Sequence, residues 1–98
     1  MGFVQLIEFR TADLVKFNRA LDKWLADTAE RTAVQRGTLC EDRESRGLYV
    51  QVVEFPSYEE AMANSADPRT TEFAEELASL CSEGPTFRNL DVVWVEQR

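Results

Sequence analysis

The chain has 98 residues, enough for one domain, and carries 11 Lys and Arg against 18 Asp and Glu, a formal charge of −7. A hydrophobic share of 44% excludes intrinsic disorder. The cations are scattered and outnumbered, so no nucleic-acid partner is expected, and no apolar run approaches the roughly 20 residues of a membrane span.

Histidine is absent, which removes the commonest transition-metal ligand and general base. No metal is therefore expected. Cys40 and Cys81 lack C-x-x-C spacing and read as two buried, reduced thiols of a cytoplasmic protein. The opening MGFVQLIEFR alternates and carries Glu8, unlike a signal peptide.

In Phe3 to Phe9, residues Phe3, Gln5, Ile7 and Phe9 share one face, and Val4, Leu6 and Glu8 the other. Both faces are largely apolar, which predicts an inner strand covered on both sides. Thr11 or Asp13 can cap the helix that follows. Leu14, Phe17, Leu21, Trp24, Leu25 and Thr28 fall at 3-and-4 spacing, the stripe of an amphipathic helix of about five turns. Arg36-Gly37 is expected to end that helix and its connection. Thr38 to Arg43 then reads as an edge strand and Glu41 to Gly47 as a hairpin loop.

Leu48 to Phe55 is the second inner strand, with Leu48, Val50, Val52 and Glu54 on one face. Ser57 with Glu60 fits a capping box for a short helix running to about Asn64. Asp67-Pro68 opens a second long helix with Phe73, Leu77, Leu80 and Cys81 as its stripe. Gly84-Pro85 is expected to stop it. The last strand is predicted over Phe87 to Glu96, centred on Val92 to Val95.

Strand, helix, strand, strand, helix, strand, with right-handed crossovers, gives a sheet of order 4-1-3-2. Both helices fall on one face, which makes residues 1–98 a single ferredoxin-like βαββαβ, α+β sandwich with an antiparallel sheet. Two helices cover one face only, yet three strands are apolar on both. The uncovered face would leave a patch larger than a soluble monomer tolerates. A homodimer, sheet against sheet, covers it; the alternative is a patch shielded by the chain's own tail.

Tyr58, then Glu60-Ala61-Met62, then Asp67-Pro68 and Phe73, on a chain of this length and strand order, resemble the antibiotic biosynthesis monooxygenase-like family of dimeric α/β barrels. The resemblance covers essentially the whole chain. Many members have a His two residues after the position of Met62, where this chain has Asn64. Many have another after the Pro, where this chain has Arg69. A haem-degrading activity is therefore not implied. What the resemblance does imply is cofactor-independent oxygenation of a small phenolic or quinol substrate. Its alternatives are a non-catalytic ligand-binding or stress-associated dimer, and a cyclase or isomerase on the same scaffold.

Under the oxygenase reading, Asn64, Trp24 and Tyr49 are the candidate catalytic residues, and Gln5, Gln51, Tyr58 and Arg69 bind the small aromatic ligand. Gln5 and Gln51 interrupt aromatic strand faces, and buried amides require hydrogen-bond partners. They face a pocket, or else bond each other or water across the sheet. Trp24 needs a partner for its indole N–H if it is buried. Asn64 can hold an oxyanion or act as a C-cap, and Arg69 can hold an anionic ligand or lie in solvent. Glu8 and Glu54 call for a cross-strand cation such as Arg10 or Arg88.

Overall fold

Alternation along the first strand decides where the core lies. In a computed structural model, which describes residues 2–30 and 33–98, β1 (Phe3–Thr11) turns Phe3, Ile7 and Phe9 inward, all nearly fully buried. Asp13 caps α1 (Leu14–Thr28) by accepting from the Lys16 N–H at 3.0 Å. Thr11 instead donates its hydroxyl to the carbonyl of Leu80, 2.7 Å away. Helix α1 buries Phe17, Ala20, Trp24 and Thr28. Leu25, expected on that stripe, is 43% exposed, because the stripe that faces the sheet is narrower than the hydrophobic pattern suggests.

Edge strand β2 (Arg36–Glu41) begins at the Arg36-Gly37 pair that was expected to close the preceding connection. Asp42 holds the turn into β3 (Leu48–Phe55) by accepting from the N–H groups of Glu44 and Ser45. Ser57 caps α2 (Tyr58–Ala66) by accepting from the Glu60 N–H, and Asp67 caps α3 (Pro68–Leu80) through the Arg69 N–H. Pro68 stands in the first helical turn, where no N–H is needed.

The four strands form one antiparallel sheet in the order β2-β3-β1-β4, the expected order read from the other edge. The molecule is a ferredoxin-like α+β sandwich with its helices on one face. Phe9, Phe17, Phe55 and Leu77 are nearly fully buried between the layers, each stabilising the fold by about 1.5–3 kcal/mol. Phe9 stacks on Phe17 at 4.4 Å between ring centroids, which fastens α1 to β1.

The last strand departs from expectation. Helix α3 ends at Leu80, and β4 occupies Cys81–Asp91. Gly84 lies inside that strand, beside the register shift opposite Glu8 and Arg10, with φ +83°. A Cβ there would approach the Glu8 carbonyl to 2.7 Å, so the glycine serves an irregular ladder rather than a helix end. Pairing finishes with Phe3 opposite Asp91 and the Val92 N–H donating to the Gly2 carbonyl. The described residues provide nothing opposite Val93 to Val95, so a β-favouring run stays outside the sheet, with Trp94 76% exposed. The tail therefore does not shield the helix-free face. That face carries Val4, Leu6, Leu48, Val50, Val52 and Leu90 in adjacent register.

Candidate functional site

Between the sheet and the helices lies a cavity of about 320 Å³, at the small end of the range for ligand pockets. Its floor is Gln5 and Ile7 from β1, Gln51, Val53 and Phe55 from β3, and Phe87 from β4. Leu21 and Trp24 of α1 form one wall. Thr70, Thr71, Phe73, Ala74 and Leu77 of α3 form the other, and Asn64 and Ser65 of α2 stand at one end. None of these side chains is ionisable. In a chain of net charge −7, such a lining disfavours an anion and suits a neutral, largely apolar ligand.

Aromatic packing fixes the walls. Trp24 stacks on Phe73 with centroids 5.2 Å apart and planes 21° from parallel. Its indole N–H donates to the Thr70 hydroxyl oxygen at 3.1 Å, so the buried indole has the partner it needs. On the floor, Gln5 Nε2 donates to Asn89 Oδ1 at 3.1 Å, across the β1–β4 ladder. The two glutamines do not bond each other: Gln5 stands opposite Val53, and Gln51 opposite Ile7. Gln51 is 7% exposed. Its Oε1 is the one buried side-chain polar atom, among the described residues, without a hydrogen-bond partner. A second cavity of about 280 Å³ shares Leu21, Trp24, Gln51 and Val53 with the first and extends past Asn18 toward Gly37 and Leu39.

Of the residues singled out from the sequence, Gln5, Trp24, Gln51 and Asn64 come together in the cavity, and three others lie outside its lining. Tyr49 stacks on Phe9 at 5.6 Å in the adjoining core. Tyr58, 52% exposed, meets Phe3 edge-on at 5.5 Å. Arg69 lies in a shallow groove at the α2–α3 junction, with Nη1 3.5 Å from Glu72 Oε2. The cations also pair differently from expectation: Glu54 is 3.6 Å from Arg36, and Arg10 is 3.4 Å from Glu83.

Sequence reasoning missed Thr70, Thr71, Ser65 and Phe87 as lining residues. Small hydroxyl side chains near a helix end read as solvent-facing. Phe87 becomes part of the floor only through its pairing with Ile7.

The Glu41 carboxyl and the Cys81 thiol are displaced from their ordinary values, and neither lines the cavity. The Gly47 N–H and the Arg46 guanidinium hold the Glu41 carboxyl below its ordinary value. Burial pushes the Cys81 thiol up. Both cysteines are free as expected, but Cys40 is exposed and Cys81 only half-buried, since Cys40 lies on an edge strand rather than in the core. No described helix is long and apolar enough to cross a membrane.

Solved structures share this architecture. SnoaB of Streptomyces nogalater, a cofactor-independent oxygenase crystallised as an asparagine-to-alanine mutant, superposes with TM-score 0.81 and 16% identity, over 96% of this chain and 95% of that one. A Caulobacter crescentus protein provisionally named an antibiotic biosynthesis monooxygenase gives TM-score 0.79 and 11% identity, over 95% and 91%. A conserved protein of Methanosarcina mazei gives 0.79 and 6%, over 92% and 91%. The chain has the antibiotic biosynthesis monooxygenase fold. No family model and no curated protein matches the sequence. At such identities the likeness extends to the fold alone. On the antibiotic biosynthesis monooxygenase scaffold, this chain sets its amides and one indole around a cavity without charge.

Proposed function

We propose that this protein is a cofactor-independent monooxygenase that binds a small phenolic or quinol substrate in the cavity between sheet and helices. The observation that carries the reading is the lining itself: an uncharged, mostly apolar chamber with the amides of Gln5, Gln51 and Asn64 and the indole of Trp24 around it. Such a chamber can hold an electron-rich ring in one orientation. Converting the ring C–H para to a phenolic hydroxyl into C=O by O₂, with loss of the hydroxyl hydrogen, places one oxygen atom in the quinone product and the other in water. The substrate supplies every electron, so no external reductant enters. Amide N–H groups of Asn64 and Gln5 can stabilise the negative charge that develops on the substrate oxygen. Tyr49, Tyr58 and Arg69 would act only at the margins, because they lie outside the lining.

The protein works in this reading as a cytoplasmic homodimer. The helix-free face with Val4, Leu6, Val50 and Val52 is apolar, and the exposed tail leaves it open. A second copy covers it with the same surface.

Oxygen uptake with a panel of hydroquinones and anthrones tests the reaction. Turnover that is lost in Asn64→Ala and Trp24→Phe, with helix content intact, supports it. No uptake across the panel sinks it.

A non-catalytic ligand-binding dimer is the second reading, favoured by one observation: no lining residue can take a proton at neutral pH. Ligand retained in native mass spectrometry, without turnover, would establish that alternative.

A further inference from the structure

We propose that Gln51 sets the specificity of the cavity by accepting a hydrogen bond from an uncharged hydroxyl group of the ligand; this rests on the cavity being the ligand site. Three other polar residues of the lining already have partners. Gln5 donates to Asn89, Trp24 donates to Thr70, and Asn64 also has a partner. Gln51 differs. Its side chain is more than nine-tenths buried, and its Oε1 has no donor. A buried acceptor left in that state destabilises the empty protein, and this is the cost a matching ligand removes.

The oxygen is closed off within the empty protein. A ligand reaches it once the amide turns about its terminal torsion, which is soft in glutamine. Space for that turn lies on the β2 side, where Gly37 presents no side chain; a Cβ there would come within 3.2 Å of Gln51 Nε2. Gln51 also lines both cavities, so a hydroxyl at this point lets the ring that bears it extend to either side. An ether or a deprotonated phenolate offers no donor. A neutral phenol or alcohol does.

The test uses 1-naphthol and 1-methoxynaphthalene, titrated calorimetrically into the wild-type protein and into Gln51→Leu at neutral pH. The naphthol should bind the wild type about ten-fold more tightly than its methyl ether. In Gln51→Leu that preference should collapse toward one, while the ether binds at least as well as before. The variant's melting temperature should rise, because the orphan acceptor is gone. Gln51→Met serves if the leucine variant does not fold. Equal binding of the two probes by the wild type, or a preference that survives in the variant, overturns the role of Gln51 and leaves the cavity reading standing. Tighter binding of the ether would mean that the amide presents its N–H₂ to the ligand, and also overturns it. If neither probe binds, the cavity is not the ligand site, and both proposals fall.

Discussion

The indole N–H of Trp24 on α1 donates to the hydroxyl oxygen of Thr70 on α3 at 3.1 Å. This bond joins the two helices that wall the cavity, beside the Trp24–Phe73 stack. Thr70→Val keeps the shape but leaves a buried N–H unpaired, so it should destabilise the protein by about 1–3 kcal/mol in urea unfolding. Combined with Trp24→Phe, it should cost less than the sum of the two single changes, since the donor is then already gone. Additive losses would show that the bond contributes nothing.

Gly84 and Gly37 should respond oppositely to alanine. At Gly84, φ is +83° and the new Cβ would meet the Glu8 carbonyl at 2.7 Å. A loss of about 2 kcal/mol or more is expected in chemical unfolding. At Gly37 the new Cβ meets only the far end of the Gln51 side chain, and stability should stay within about 1 kcal/mol of wild type. Equal losses at both sites would remove the bulge argument for β4.

Glu41 makes the acid limb of stability predictable in sign. The Gly47 N–H and then Arg46 lower its pKa in the folded state from an ordinary 4.5. A carboxylate depressed in this way stabilises the fold above the unfolded-state pKa and loses that contribution as pH falls through the folded one. The gap in urea midpoint between wild type and Glu41→Gln should therefore be widest near neutrality and close in acid. A gap that widens on acidification would contradict the assignment. The carboxylate is exposed to solvent, so the effect will be small and will shrink with added salt.

Val52 lies on the helix-free face, opposite Leu6 on one side and Thr38 on the other. Sedimentation equilibrium at micromolar concentration should give twice the chain mass of 11.2 kDa for wild type. Val52→Lys should give the single-chain mass with unchanged far-ultraviolet circular dichroism, because a lysine there tolerates water but not a second apolar sheet. A wild-type protein that sediments as one chain would leave the face without the partner proposed here.

Much of this architecture could be read from residue spacing. Period-2 alternation found β1 and β3, and 3-and-4 spacing found α1. Asp13, Ser57 and Asp67 marked helix starts that the structure retains. What failed was non-local. Val92 to Val95 has strong strand preference, but a strand needs a neighbour, and the ladder ends at Asp91 because β1 starts at Phe3. Gly84-Pro85 looked like a helix stop since both residues break helices; that they serve a strand irregularity depends on Glu8, far away in sequence. In the cavity, Gln5 and Gln51 stood out against apolar patterns, and Trp24 stood out as an inward-facing indole whose N–H needs a partner. Thr70 and Phe87 did not, because each becomes informative only through the partner that the fold brings to it.

The chain's two tryptophans sit in opposite surroundings, Trp24 enclosed beside Phe73 and Trp94 nearly bare on the tail. Iodide in solution should therefore quench Trp94 first and leave a blue-shifted emission from Trp24. With Trp94→Phe in place, the remaining fluorescence becomes a private optical probe of the chamber, able to register an arriving guest without any label.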